Sequence, residues 1–158
     1  MSDTKDFLSV SETEFEQFQR RAFTYEHLGF PKADPECIPL IQALNRTKDI
    51  APVFSCAGHL KNDQSERFYL MMVCLPSGRK RLEKLFVKMV SGLAVNDLNK
   101  LSLTYKQMFS LFTEISLEEQ KFTYPAVFIE FRFTTPRQQA SFLSILSAQL
   151  NSLSTDYA

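Results

Sequence analysis

Cys56 and His59 stand three positions apart at the end of an apolar run, in the segment Val53-Phe54-Ser55-Cys56-Ala57-Gly58-His59. Those residue types at that spacing suit three chemistries. The first is a pair of metal ligands. A structural zinc site needs four ligands and a catalytic one three plus water, and the other candidates are Cys37, Cys74 and His27. With a hairpin tip centred on residues 62 and 63, Cys56 falls opposite Tyr69, and Cys74 is then roughly 17 Å further along its strand. Nothing in the spacing brings His27 and Cys37 together either, so no metal is expected. The second chemistry is nucleophilic, with Cys56 as a thiolate and His59 as its partner. A reactive cysteine needs a positive, partly exposed setting, and Asp63 and Glu66 are the nearest acids in the chain. The third reading is plainer. Cys56 packs as a small hydrophobe where a strand closes, Gly58 supplies a positive φ, and His59 faces solvent. The third reading is favoured, with the polar residues of Ser55 to His59 facing a shallow cleft.

A second chemical feature is Pro76-Ser77-Gly78-Arg79-Lys80-Arg81. Helix N-termini favour acids, because the macrodipole is positive there. Arg79, Lys80 and Arg81 in a first helical turn therefore suit an anion, which the free backbone N–H groups would also hold. Lys80, Lys84 and Lys88 continue the charge as a stripe, and a solvated basic face accounts for the same residues. The helix begins just after the second strand, at the opposite end of the hairpin from Cys56. That placement counts against one cleft shared by both features. No Gly-rich loop of phosphate-binding spacing is present, which argues against nucleoside triphosphate hydrolysis. Glu118-Glu119 reads as a surface turn, not a magnesium site.

The elements that must position these residues follow from pattern. Ser11 and Glu14 form a capping box with Val10 and Phe15 as its staple, predicting a helix whose apolar face carries Phe15, Phe18, Ala22 and Tyr25. Leu28-Gly29-Phe30-Pro31 ends it. A shorter helix is predicted across Asp34 to Asn45, with Ile38, Ile41 and Leu44 sharing a face. Ile50–Cys56 and Phe68–Leu75 are strand-length apolar runs. Apolar residues of both parities suggest central strands covered on both sides, paired as an antiparallel hairpin with a long polar tip. Pro76-Ser77-Gly78 reads as a turn, followed by a helix over Arg79 to Val90 carrying Leu82, Leu85, Phe86 and Met89. Alternation predicts strands over Leu101 to Phe109 and Ala126 to Phe133, the latter with Phe128, Glu130 and Arg132 on one face. Residues 110–121 are ambiguous. Thr135-Pro136 starts a last helix with Phe142, Ile145, Leu146 and Gln149 along a stripe. Residues 1–9 and 154–158 read as frayed ends. The order predicts a single α+β domain: a four-stranded, mainly antiparallel sheet with helices packed mainly on one face.

Composition bounds the function. The chain has 158 residues, 44% of them apolar, with 18 basic and 18 acidic residues. That length buries most of its apolar surface without staples. Zero net charge argues against a protein whose main task is coating nucleic acid or an anionic membrane, although it does not rule out a nucleic acid partner. Fifteen Phe and no Trp point to a Phe-rich core. The N-terminus is acidic and polar, unlike a signal or transit peptide, and Phe68 to Leu75 is far short of the ~20 residues that span a bilayer. Three widely spaced cysteines do not read as a disulfide framework. A cytoplasmic protein is expected.

The run Ile38-Pro39-Leu40-Ile41-Gln42-Ala43-Leu44-Asn45, followed by a turn and Phe54-Ser55-Cys56-Ala57-Gly58-His59, resembles small bacterial and phage proteins with an S-C-x-G-H motif. More distantly it is similar to the tRNA-wybutosine-synthesising methyltransferase family, where a helix ending near Asn leads into a strand with an S-C-S-G-R motif. Ser55, Cys56 and Gly58 agree; Ala57 replaces a serine and His59 an arginine. The resemblance spans residues 38–59 and implies that Ser55 to His59 lines a functional cleft, with S-adenosylmethionine as cofactor and a modified tRNA base as substrate.

Two function classes follow. One is a nucleotide- or RNA-related binding or modification domain using Ser55, Cys56, Gly58 and His59 with Arg79, Lys80 and Arg81. The other is a non-catalytic interaction or regulatory protein, a homodimer through the sheet face that carries Phe128, Glu130 and Arg132.

Overall fold

The computed structural model describes residues 7–28, 34–58, 66–93, 99–109 and 123–155. His59, the ambiguous stretch 110–121, the Gly29-Phe30-Pro31 helix stop and the outermost residues of both termini lie outside the described residues.

Helix α1 spans Glu12–Leu28 and starts where its capping box dictates. Glu14 N donates to Ser11 Oγ at 3.2 Å while Ser11 N donates to Glu14 Oε1 at 3.2 Å, so two orphan amides are satisfied reciprocally. Val10 and Phe15 are both buried, as the staple requires. A single 3₁₀ turn, Pro35–Cys37, leads into α2, Ile38–Asn45. The buried face of α2 is Leu40, Ala43 and Leu44. Ile38, expected on that face, is 40% exposed: two positions before Leu40, it lies on nearly the opposite side of a helix with 3.6 residues per turn.

Strands β1 (Ile50–Cys56), β2 (Glu66–Cys74), β3 (Leu101–Phe109) and β4 (Thr123–Phe133) form one antiparallel sheet in the order β1-β2-β4-β3. The single α+β architecture with a four-stranded antiparallel sheet is therefore present. β1 is an edge strand, not a central one. Its apolar residues of both parities reflect coverage on both faces by helices, and Pro52 was the signal that it sits at an edge, where a missing N–H costs no ladder bond. A register shift between Pro52 and Phe54 interrupts the β1–β2 ladder, so Val53 and Phe54 both contribute to the same hydrophobic cluster. Cys56 pairs with Tyr69, as the symmetric hairpin tip predicts; beyond the register shift the ladder runs one residue out of that symmetry, and Ile50 pairs with Cys74.

Helix α3 spans Pro76–Gly92 and α4 spans Pro136–Thr155. Pro76-Ser77-Gly78 is thus the first turn of α3, not a turn before it: Pro at the first position has no N–H to leave unpaired. The same capping logic opens α4, where Gln138 N donates to Thr135 Oγ1 at 3.2 Å and Gln138 Oε1 accepts from Thr135 N at 3.3 Å. Helices α2, α3 and α4 bury one face of the sheet; α1 covers part of the other. The inner core is built on phenylalanine: Phe131 stacks on Phe142 with centroids 4.3 Å apart, and Phe68 meets Phe142 edge-on at 5.1 Å. Burying each such ring contributes about 1.5–3 kcal/mol. On the α1 face, Phe18 leans on Tyr124 at 4.8 Å. No helix among the described residues is long and apolar enough to cross a membrane.

Candidate functional site

Strand β1 ends at Cys56, and the next two residues are held from two other elements. Asp34 stands at the start of the 3₁₀ turn, where an aspartate usually caps its own helix, yet it makes no side-chain cap there. Its Oδ2 instead accepts the Ala57 amide at 2.8 Å. From the first turns of α4, Gln139 Nε2 donates to the carbonyls of Ala57 at 2.8 Å and Gly58 at 3.2 Å. Charge-assisted and neutral bonds together therefore fix the backbone just where it leaves the sheet. Gly58 has φ 88°, and a Cβ there would sit 2.7 Å from the Phe133 ring. Conformation and packing both demand glycine at this bend.

Alternation sends Ser55 and Cys56 to opposite faces. Ser55, paired with Leu70, turns toward the inner core and hydrogen-bonds Cys37 through its side chain. Burial pushes the Cys37 thiol up to about 12, with the nearby carboxylate of Asp34 adding to the shift, so it stays protonated at neutral pH. Cys74 is also buried and its pKa is raised, chiefly by desolvation and then by Asp49. Both are inert thiols. Cys56 is half-buried, and so differs from them and from the buried small hydrophobe expected where the strand closes. It lies in a cross-strand row on the α1 face, Cys56–Tyr69–Glu130–Ser102. Burial raises the Tyr69 phenol, with a further push from Cys56 and an opposing pull from Arg67.

The next row toward the hairpin tip pairs Arg67 with Arg132. Both are exposed. Arg67 reaches Glu130 at 3.7 Å with 53% of its side chain accessible, and Lys106 reaches the same carboxylate at 4.0 Å. The sequence does not single out Arg67, and it marks Arg132 only as part of the sheet face with Phe128 and Glu130. The hairpin register that places Cys56 opposite Tyr69 also places Arg67 beside Gly58, and the alternation of β4 puts Arg132 on the face of Glu130. Asp34 and Gln139 carry no such local signal.

The basic segment of α3 sits elsewhere. Cys74, the residue that leads to α3, pairs with Ile50 at the far end of the hairpin from Cys56, so Arg79, Lys80 and Arg81 do not meet Ser55, Cys56 or Gly58. Because α3 starts at Pro76, these residues occupy the second turn, not the first. Arg79 Nη1 donates to Glu83 Oε1 at 2.7 Å. Arg81 Nη1 pairs with Asp49 Oδ1 at 3.2 Å and its Nη2 donates to the carbonyl of Leu153. Ser77 Oγ donates to the other oxygen of Asp49 at 2.8 Å. Here the charges are consumed in holding the fold; Lys80 alone of the three is exposed. Among the described residues no three His, Cys, Asp or Glu side chains gather as a metal site would need.

The sequence matches no protein-family model and no curated protein. Among solved structures it is similar to the PH1069 protein from Pyrococcus horikoshii, at 11% identity and a TM-score of 0.38, over 92% of this chain and 93% of that one.

Proposed function

We propose that the chain binds a phosphorylated, nucleotide- or RNA-related ligand at the Gly58 end of the sheet. The observation that carries this reading is the exposed cross-strand pair Arg67–Arg132 beside a backbone bend pinned by Asp34 and Gln139. Two guanidiniums on one face with a single carboxylate between them leave net positive charge, and guanidinium forks suit phosphate oxygens. Tyr69 supplies a ring in the adjacent row, and Cys56 a half-exposed thiol next to it. The charge in this reading comes from Arg67 and Arg132; the Arg79–Arg81 segment is not part of it. The resemblance to the tRNA-modifying methyltransferases adds S-adenosylmethionine and RNA to the ligands worth testing.

The homodimer reading has less support. Phe128, the apolar residue of the proposed contact face, is only 8% exposed, and the Lys106 ammonium lies 4.9 Å from its ring centroid. Little apolar surface is left there to drive association.

A thermal-stability screen against nucleoside monophosphates, S-adenosylmethionine and short single-stranded RNA tests the proposal. A ligand that binds only the folded state at a hundredfold excess over Kd raises stability by about 2.7 kcal/mol. The gain should vanish in Arg67→Ala/Arg132→Ala. No gain with any of these ligands, or an equal gain in the double variant, overturns the proposal; a dimer in light scattering would then favour the interaction role.

A further inference from the structure

A groove of about 170 Å³ runs between α3 and α4, far from the Gly58 bend. That is roughly ten times the ~10–15 Å³ needed to admit one water. Leu85 and Leu153 line it and are 2% and 7% exposed, giving it a floor that sheds water. Arg81, Lys84 and Lys88 border it from α3, with Gln149 and Ser152 opposite on α4.

The charges of this groove are not balanced. Lys84 and Lys88 are exposed and four residues apart on one helix face, where like charges repel. Neither takes part in an ion pair or hydrogen bond with a described residue. The nearby carboxylate on α3, Glu83, is held by Arg79 at 2.7 Å. Helix α4, which faces the lysines, has no Asp or Glu in its 20 residues. Arg81 differs from the lysines: Asp49 and the Leu153 carbonyl fix its guanidinium, so it forms a rigid wall. That wall also neutralises the carbonyl end of α4, which would otherwise repel an anion.

We infer that this groove binds a small polyanion carrying two or more phosphoryl charges. The donor set favours phosphate over carboxylate. Lysine ammoniums act as point charges with no fork to match a planar carboxylate, and a phosphoryl group carries more negative charge than a carboxylate, so the lysines gain more from it; the one arginine fork here is already engaged. Gln149 and Ser152 add neutral polar groups across the groove.

Isothermal titration with inorganic tripolyphosphate, beside citrate as the carboxylate counterpart, tests the inference. Tripolyphosphate should bind at least tenfold more tightly than citrate. Its Kd should weaken at least tenfold in Lys84→Ala/Lys88→Ala and recover substantially in Lys84→Arg/Lys88→Arg. Arg67→Ala/Arg132→Ala should leave it unchanged, which separates this groove from the site proposed above. Lys80→Ala, on the same stripe but outside the groove, should change Kd less than twofold. The inference fails if tripolyphosphate gives no heat, if citrate binds equally well, or if Lys80→Ala weakens binding as much as the double variant. Circular dichroism confirms that each variant is folded, since all the substituted side chains are exposed.

Discussion

The two ends of the β1–β2 hairpin use the same ingredients for different purposes. Each has a glycine in tight contact, an aspartate from a preceding loop, and arginines within reach. At the Ile50–Cys74 end the aspartate is Asp49, which is 4% exposed and saturated by Ser77 and Arg81. Gly78 is there because α3 crosses the Asp49 backbone so closely that a Cβ would lie 2.0 Å from its carbonyl oxygen. At the Cys56–Tyr69 end the aspartate is Asp34, whose carboxylate holds a backbone amide. The arginines, Arg67 and Arg132, are left in solvent. A cation that has already found its buried acid is part of the scaffold. A cation left exposed next to a rigid, polar backbone bend is free to meet a ligand. The difference lies in how far the charges are spent, not in how many there are.

The largest test of this contrast is at the glycines. Gly78→Ala should cost about 3 kcal/mol, at the upper end for overpacking, because the obstruction is backbone that cannot rotate away. Gly58→Ala should cost about 2 kcal/mol, from the positive φ and a displaced Phe133 ring. Chemical denaturation of both variants measures this. A Gly78→Ala protein as stable as the parent would mean that α3 does not pack on Asp49 as described.

Arg81→Ala comes next. It takes the cationic partner from the Asp49 carboxylate, of which 6% of the side chain is accessible, and leaves Ser77 on its other oxygen, while Arg81 itself keeps 20%. Breaking a buried pair from one side costs about 3–5 kcal/mol; the partial exposure of Arg81 brings the expected loss to about 2–3 kcal/mol. Asp49→Asn/Arg81→Ala should recover part of that loss, since the buried charge is then removed as well. If Arg81→Ala is neutral, the scaffold role of this end is wrong.

Much of this arrangement could be read from local sequence, and the reasons are physical. Ser11 and Glu14 announce a helix start because capping is a contact between residues three apart. Gly58 announces a bend because only glycine adopts that φ without strain. The hairpin register followed from the length of the polar tip. What escaped the sequence were choices between two local meanings. Pro76-Ser77-Gly78 is good turn chemistry and also a good first helical turn, and only the packing of Gly78 on Asp49 decides between them. The basic trio of α3 looked like an anion site because its partners, Asp49 and Leu153, are 32 and 72 residues away from Arg81 in the chain. Gln139 reaches Ala57 across 82 residues, and no periodicity reports a bond of that kind.

The smallest expected effect on stability is also the sharpest discriminator. Arg67→Ala removes a contact to Glu130 of 3.7 Å made by a side chain that is 53% accessible. Exposed ion pairs contribute about 0–1 kcal/mol, since water screens the attraction and the side chain gains freedom on release. Glu130 also keeps Lys106 at 4.0 Å, so its carboxylate still has a cation beside it. The expected loss is therefore under about 0.5 kcal/mol, against about 2–3 kcal/mol for Arg81→Ala, although both substitutions delete an arginine beside a carboxylate. Binding should run the other way: Arg67→Ala should weaken a phosphorylated ligand at the Gly58 end, and a folded Arg81→Ala protein should bind it normally. Denaturation and ligand titration on these two variants give four numbers. If Arg67→Ala proves the more destabilising, its pairing with Glu130 is structural, and the Gly58 end is as much scaffold as the other.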